Sequence, residues 1–88
     1  MTIDPRVTES FNAARADLAA ADRVLMPLWR DPDCDFCGDI FRDADLAYTE
    51  AYHYWYGMRS ALELLAPESA RMITDAAHAA VMTEGERT

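Results

Sequence analysis

The stretch from residue 39 to residue 65 constrains the fold most, because it repeats apolar side chains at helical spacing over its whole length. Its apolar positions alternate between steps of three and four residues: Phe41, Ala44, Tyr48, Ala51, Trp55, Met58, Leu62 and Leu65. A seam of this kind lies on one side of a long α-helix and packs against partner helices. We therefore predict a helix over 39–65, with Asp39 as its cap and Trp55 at the centre of the core.

A second seam of the same kind precedes it. Its positions are Val7, Phe11, Ala14, Leu18, Ala21 and Leu25. Asp4 can cap this helix, and Pro5 suits its first turn, where a missing N–H costs nothing. Pro27 disfavours helical geometry at the residue before it. The spacing therefore predicts a helix over 5–26, with Leu28 and Trp29 outside it and covering one end of the core.

A third, shorter helix is predicted over 67–82. Pro67 ends the second helix and suits the first turn of the next. The predicted packing face is rich in alanine: Met72, Ile73, Ala76, Ala77, Ala80 and Val81. No segment alternates with the period of two that strands require. The sequence thus predicts an all-α fold for a single domain, 1–88: a small three-helix bundle of two long antiparallel helices and a shorter C-terminal one.

The net charge limits the classes of partner that the chain can bind. Sixteen acids stand against eight bases, all of them arginine, for a net charge of −8. Direct binding to nucleic acid or to an anionic membrane needs basic patches, which this balance disfavours. No apolar run approaches the ~18 residues of a membrane span, and the first residues have no apolar core of signal-peptide length. We expect a cytoplasmic protein.

An acidic, cysteine-bearing segment joins the first two helices. It carries four aspartates and two cysteines: Asp31, Asp33, Cys34, Asp35, Cys37 and Asp39. The C-x-x-C spacing suits half of a zinc site, the other ligands coming from His53, His78, nearby aspartates or a second chain. It also occurs in redox pairs, although the aspartates would oppose a thiolate here. Two cysteines that are simply part of the loop are the third interpretation.

Two tyrosines flank the seam of the long helix. Tyr52 and Tyr56 follow Tyr48 at four-residue steps, with Arg59 close by. A bundle this small cannot easily bury both the seam and this stripe. Exposed tyrosine beside arginine is typical of protein interfaces. We expect a contact surface there, and a homodimer formed through Tyr52–Arg59 is one use of it.

These observations favour a non-enzymatic protein-interaction module. No phosphate-cradling glycine loop, G-x-S-x-G or H-E-x-x-H is present. The expected partner is a protein, and a basic nucleic-acid-binding protein fits the charge best. The sharper hypothesis is an inhibitor encoded by a phage or mobile element, of the anti-CRISPR-like kind that imitates nucleic acid. The expected binding residues are Asp31, Asp33, Asp35, Asp39, Tyr52, Tyr56 and Arg59. The alternative is a small structural metalloprotein stapled by zinc at Cys34 and Cys37; otherwise no cofactor is expected.

Overall fold

The computed structural model describes residues 4–87, and the environments of the side chains up to Thr83. Three helices follow one another: α1 (Pro5–Arg30), α2 (Asp39–Leu65) and α3 (Pro67–Arg87), with no strand among the described residues. Leu25 packs with Phe41, and Phe11 packs with Trp55, so α1 and α2 are antiparallel. The predicted all-α three-helix bundle is confirmed.

The helix starts follow local chemistry, with one correction. The N–H of Arg6 donates to Asp4 Oδ1 at 2.9 Å, so Asp4 caps α1 as predicted. The prediction that Asp39 caps α2 is wrong: Gly38 is the capping residue and Asp39 is the first residue of the helix. Its carboxylate there still interacts favourably with the helix dipole.

The helix α1 continues through Pro27, so its predicted end at residue 26 is wrong. Proline leaves the carbonyl four residues earlier without its helical N–H partner. The last turn nevertheless packs: Leu28 is half-buried against the core cluster that contains Leu25 and Phe41, and Trp29 meets Phe41 at 5.4 Å between ring centroids. This packing holds the turn that the sequence placed outside the helix. The helix α3 likewise extends to Arg87, beyond its predicted end at 82.

The core consists of two clusters arranged along the bundle. The larger one contains Phe11, Ala14, Leu18, Trp55 and Ala77. The smaller one contains Leu25, Phe41 and Ala44, next to the loop that joins α1 to α2. Tyr48 is partly buried against both. The seam of α2 is confirmed from Phe41 to Leu62, whereas Leu65 is 82% exposed.

The packing face of α3 differs from the prediction. Its inward positions are Ala70, Ile73, Thr74, Ala77, His78 and Val81, all buried or half-buried. Met72, Ala76 and Ala80, which were expected on that face, are exposed. The true face therefore includes Thr74 and His78, two polar side chains that a search for apolar spacing passes over.

Candidate partner-binding surfaces

The negative charge is concentrated at one end of the bundle. Residues 31–50, here called the acidic end, hold seven acids and one arginine, and so contribute −6 of the net charge of −8. The seven are Asp31, Asp33, Asp35, Asp39, Asp43, Asp45 and Glu50, and each is exposed. The segment comprises the loop and the first three turns of α2. A partner that approaches this end therefore experiences most of the negative electrostatic field of the protein.

Two of these aspartates also shape the loop. Asp31 Oδ1 accepts a hydrogen bond from the N–H of Asp33 at 2.9 Å, and Asp35 Oδ1 accepts one from the N–H of Cys37 at 3.0 Å. Aspartate and asparagine both make such turns, because only the side-chain oxygen is needed. Asp31 and Asp35 thus hold the backbone in place, and their second oxygens remain available to water or to a partner.

Three aromatic rings stand beside the loop. Trp29, Phe36 and Phe41 lie 5.0–5.6 Å apart between ring centroids. Phe41 is buried, whereas Trp29 is 56% exposed and Phe36 46% exposed. Trp29 covers this end of the core, as expected. Phe36 was not predicted from the sequence, since a lone aromatic residue in an acidic loop carries no periodicity.

The two cysteines lie within the same loop as free thiols, Cys34 half-buried and Cys37 exposed. Burial, together with the negative charges of Asp31 and Asp35, raises the pKa of the Cys34 thiol. This agrees with the argument against a reactive thiolate. A structural zinc needs four ligands. Among the described residues, no group of three or more histidine, cysteine or acidic side chains is placed to hold a metal ion.

The tyrosine stripe is exposed and stacked. The rings of Tyr48 and Tyr52 lie 6.2 Å apart at 22°, and those of Tyr52 and Tyr56 lie 6.0 Å apart at 15°. Tyr52 is 43% exposed and Tyr56 is 55% exposed. Arg59 is half-buried, and its Nε donates to Glu63 Oε1 at 3.1 Å.

The structure does not merge the stripe with the acidic loop. Tyr52 lies thirteen residues after Asp39 on α2, roughly 20 Å away at about 1.5 Å per residue. The expected binding residues therefore form two surfaces, one on the loop and the start of α2 and the other further along α2, and a single small contact does not reach both.

An apolar groove between α1 and α2 opens at the acidic end. It consists of two adjoining hollows of about 310 Å³ and 400 Å³ that share Ile40, and we call it the Ile40 groove. The first hollow is lined by Leu28, Asp31, Cys34, Asp35, Gly38, Asp39, Ile40 and Phe41; the second by Ala21, Val24, Ile40, Asp43, Ala44 and Ala47. All these residues belong to α1, the loop or α2. This groove was not predicted from the sequence, because it arises from how the two helices dock.

A polar contact between α1 and α3 was also missed. Arg15 Nε donates to His78 Nδ1 at 2.8 Å, and the ring of His78 lies 5.6 Å from that of Trp55. Burial lowers the pKa of His78, the positive charges of Arg15 and Arg59 lower it further, and Asp75 opposes them. The neutral imidazole therefore accepts at Nδ1 and keeps its proton on Nε2. The contact joins residues too distant in sequence for spacing to reveal it.

This contact predicts a loss of stability in mild acid. The folded pKa of His78 lies below its ordinary value of 6.5, so the unfolded chain binds more protons once the pH falls to that value. The stabilisation is present above this pH and is lost as the pH falls through the folded pKa. Urea unfolding at a series of pH values should show it. His78→Gln should flatten the decline, whereas the matched His53→Gln on the exposed side of α2 should not. An unchanged decline in His78→Gln would contradict the assignment.

No helix in the described part of the chain is both long and apolar enough to cross a membrane. Comparison of the chain with known protein families, with curated proteins and with solved structures finds no match.

Proposed function

We propose that the chain is a non-enzymatic interaction module that binds a basic protein through its acidic end. The observation that carries the proposal is the placement of six of the eight net negative charges, all on exposed carboxylates, within twenty consecutive residues. Clustered exposed charge steers an oppositely charged partner and fixes its orientation. The same charge repels nucleic acid and anionic lipid, so the partner is a protein.

The half-exposed rings beside the loop support the same assignment. Trp29 and Phe36 stand next to the carboxylates of the loop, and an arginine side chain can stack on an aromatic ring while its guanidinium meets a carboxylate. Tryptophan is also among the residues that contribute most at interfaces. An acidic surface with an aromatic centre is thus suited to arginine-rich protein surfaces.

The partner class that fits best is a nucleic-acid-binding protein, whose basic site the acidic end would occupy. The chain then acts as an inhibitor that imitates nucleic acid, of the anti-CRISPR-like kind, encoded by a phage or mobile element and acting in the cytoplasm. The charge of −8 on these 88 residues supports this version. Neighbouring phage or mobile-element genes would support it further.

Neutralising the loop should weaken binding without unfolding the chain. In the combined variant Asp31→Asn, Asp33→Asn and Asp35→Asn, the asparagines at positions 31 and 35 keep the side-chain oxygens that the turns use. Exposed ion pairs contribute about 0.2–1 kcal/mol each, so we expect affinity to fall roughly threefold to a hundredfold. Wild-type protein should retain a nucleic-acid-binding protein from lysate of its host at low salt and release it at high salt. The combined variant should retain less, with an unchanged circular dichroism spectrum.

A matched control carries the same net charge with the changes elsewhere. Glu9→Gln, Asp17→Asn and Glu68→Gln alter three exposed acids outside the acidic end. This control should bind like wild type. Equal binding by the control and the loop variant would show that only total charge matters, and would remove the acidic end as the binding surface.

The tyrosine stripe provides a second surface, which we assign to contact between two copies of the chain. Tyr52 and Tyr56 are exposed and already stacked, so their rings lose little freedom on association. Asp39 lies roughly 20 Å from Tyr52 along α2, at about 1.5 Å per residue, and Asp31, Asp33 and Asp35 precede it, which keeps these four carboxylates out of the contact. Light scattering across a concentration series tests this. A strict monomer at high micromolar concentration would leave the stripe for a foreign partner.

A further inference from the structure

We infer that the Ile40 groove receives one amphipathic basic helix of the partner, with its apolar face on the groove floor and its arginine or lysine side chains on the surrounding carboxylates. This inference rests on the proposed function and names the element that the acidic end recognises. It follows from the floor of the groove, from its charge and from its dimensions.

The floor of the groove is apolar, with Phe41 and Ala44 buried there, and apolar side chains stand exposed at its rim. Ile40, which the two hollows share, is 77% exposed, and Val24 across the groove is 58% exposed. Covering branched aliphatic side chains with a partner removes them from water, which favours binding. Among the residues whose side chains are described, none of α3 lines either hollow, so this described part of the bundle leaves that side of the α1–α2 pair uncovered.

The charge around the groove specifies the partner. Asp31, Asp35, Asp39 and Asp43 line the two hollows, and all four are exposed. Of these four, only Asp39 has an ion pair with an arginine among the described residues: Arg42 Nη1 lies 3.7 Å from Asp39 Oδ1. Four carboxylates around an apolar floor complement a segment that has an apolar stripe between basic side chains. An acidic or purely apolar helix would leave these charges without partners.

The dimensions favour a helix over an extended peptide. Along α2 the groove runs from Gly38 to Ala47, about 14 Å at roughly 1.5 Å per residue, which matches two to three turns of a bound helix. Such a helix places apolar anchors at positions i, i+3 or i+4, and i+7. An extended peptide usually adds to the edge of a sheet, and the described residues contain no strand.

Two synthetic peptides of about fourteen residues test the inference. One places leucines at helical spacing between arginines, and the other has the same composition in scrambled order. We expect the first to bind at least tenfold more tightly by fluorescence anisotropy, and to gain helical circular dichroism on binding. Ile40→Ser and Val24→Ser should each weaken it about five- to thirtyfold, as expected for truncating an aliphatic contact.

The control variant is Leu64→Ser. Leu64 is 86% exposed on the same helix, 24 residues from Ile40, or roughly 36 Å at about 1.5 Å per residue. This variant should bind the amphipathic peptide like wild type. All three positions are exposed, so the variants should keep the circular dichroism spectrum of the wild type. The spectrum of each variant is recorded before its binding is measured.

The outcomes separate this inference from the proposed function. One outcome is that both peptides bind with equal affinity, dissociate at high salt and bind the Ile40→Ser variant like wild type. In that case the acidic end binds basic protein but the groove is not its receptor. If neither peptide binds even at low salt, the proposed function fails as well. If only the ordered peptide binds and the groove variants weaken it, both stand.

Discussion

Replacing Trp55 with alanine should lower the free energy of unfolding by about 3–5 kcal/mol, the usual loss for a large aromatic side chain in a core. Trp55 is only 4% exposed and belongs to the larger core cluster. Its ring lies 5.5 Å from Phe11 of α1 at 72°, and 5.6 Å from His78 of α3. One side chain thus joins all three helices. A small domain has a total stability of about 5–15 kcal/mol, so this loss removes about a fifth of it or more.

The control is the neighbouring aromatic residue. Tyr54 is 62% exposed, and Tyr54→Ala should change stability by less than about 0.5 kcal/mol. Urea unfolding followed by circular dichroism measures both variants. A loss below about 1 kcal/mol in Trp55→Ala, or similar losses in the two, would place Trp55 outside the core that the structure assigns to it.

Enlarging Ala77 should have the next largest effect. Ala77 is 1% exposed and lies in the core cluster that contains Phe11 and Trp55. Ala77→Leu adds three carbons where helices approach closely, so α3 must move away or neighbouring side chains must leave their preferred rotamers. Overpacking of this kind costs about 1–3 kcal/mol. The same urea experiment measures the loss.

Ala76→Leu provides the matched comparison. Ala76 is exposed and one residue away, so the same added volume enters solvent and stability should change by less than about 0.5 kcal/mol. The sequence analysis placed both alanines on the packing face. Equal losses in the two variants would support that prediction; a loss in Ala77→Leu alone supports the face seen in the structure.

The best-predicted parts of the fold are those with a strong periodic pattern and a clear stop. The bounds of α2 match the prediction at both ends. The apolar residues of its seam lie on one side of the helix, and Pro67 marks where the helix ends. The face of α3 was ambiguous from sequence, since alanines occur all round that helix. Its inward side includes Thr74 and His78, whose places depend on packing against α1 and α2. The end of α1 was wrong because tertiary contacts of Leu28 and Trp29 outweigh the local preference at Pro27.

The candidate site divides in the same way. The acidic end could be read from the sequence, because charge density needs no geometry. The exposed stack of Tyr52 and Tyr56 also follows from four-residue spacing. The Ile40 groove could not be predicted, as Val24 and Ile40 come from different helices and neither belongs to a seam. The hydrogen bond from Arg59 to Glu63 could not be predicted either, because an arginine on a helix can reach several acidic side chains.

Pro27 has a mechanical consequence for the acidic end. Its missing amide interrupts the hydrogen-bond ladder of α1 close to Leu25 of the smaller core cluster. Bending α1 is easiest at such an interruption. Trp29 and the loop aspartates are attached beyond it, whereas Phe11, Ala14 and Leu18 hold the rest of the helix firmly against α2 and α3. The last turn of α1, and with it the loop that carries Asp31, Asp33 and Asp35, therefore depends on the packing of Leu28 and Trp29 more than on an unbroken ladder of helical hydrogen bonds.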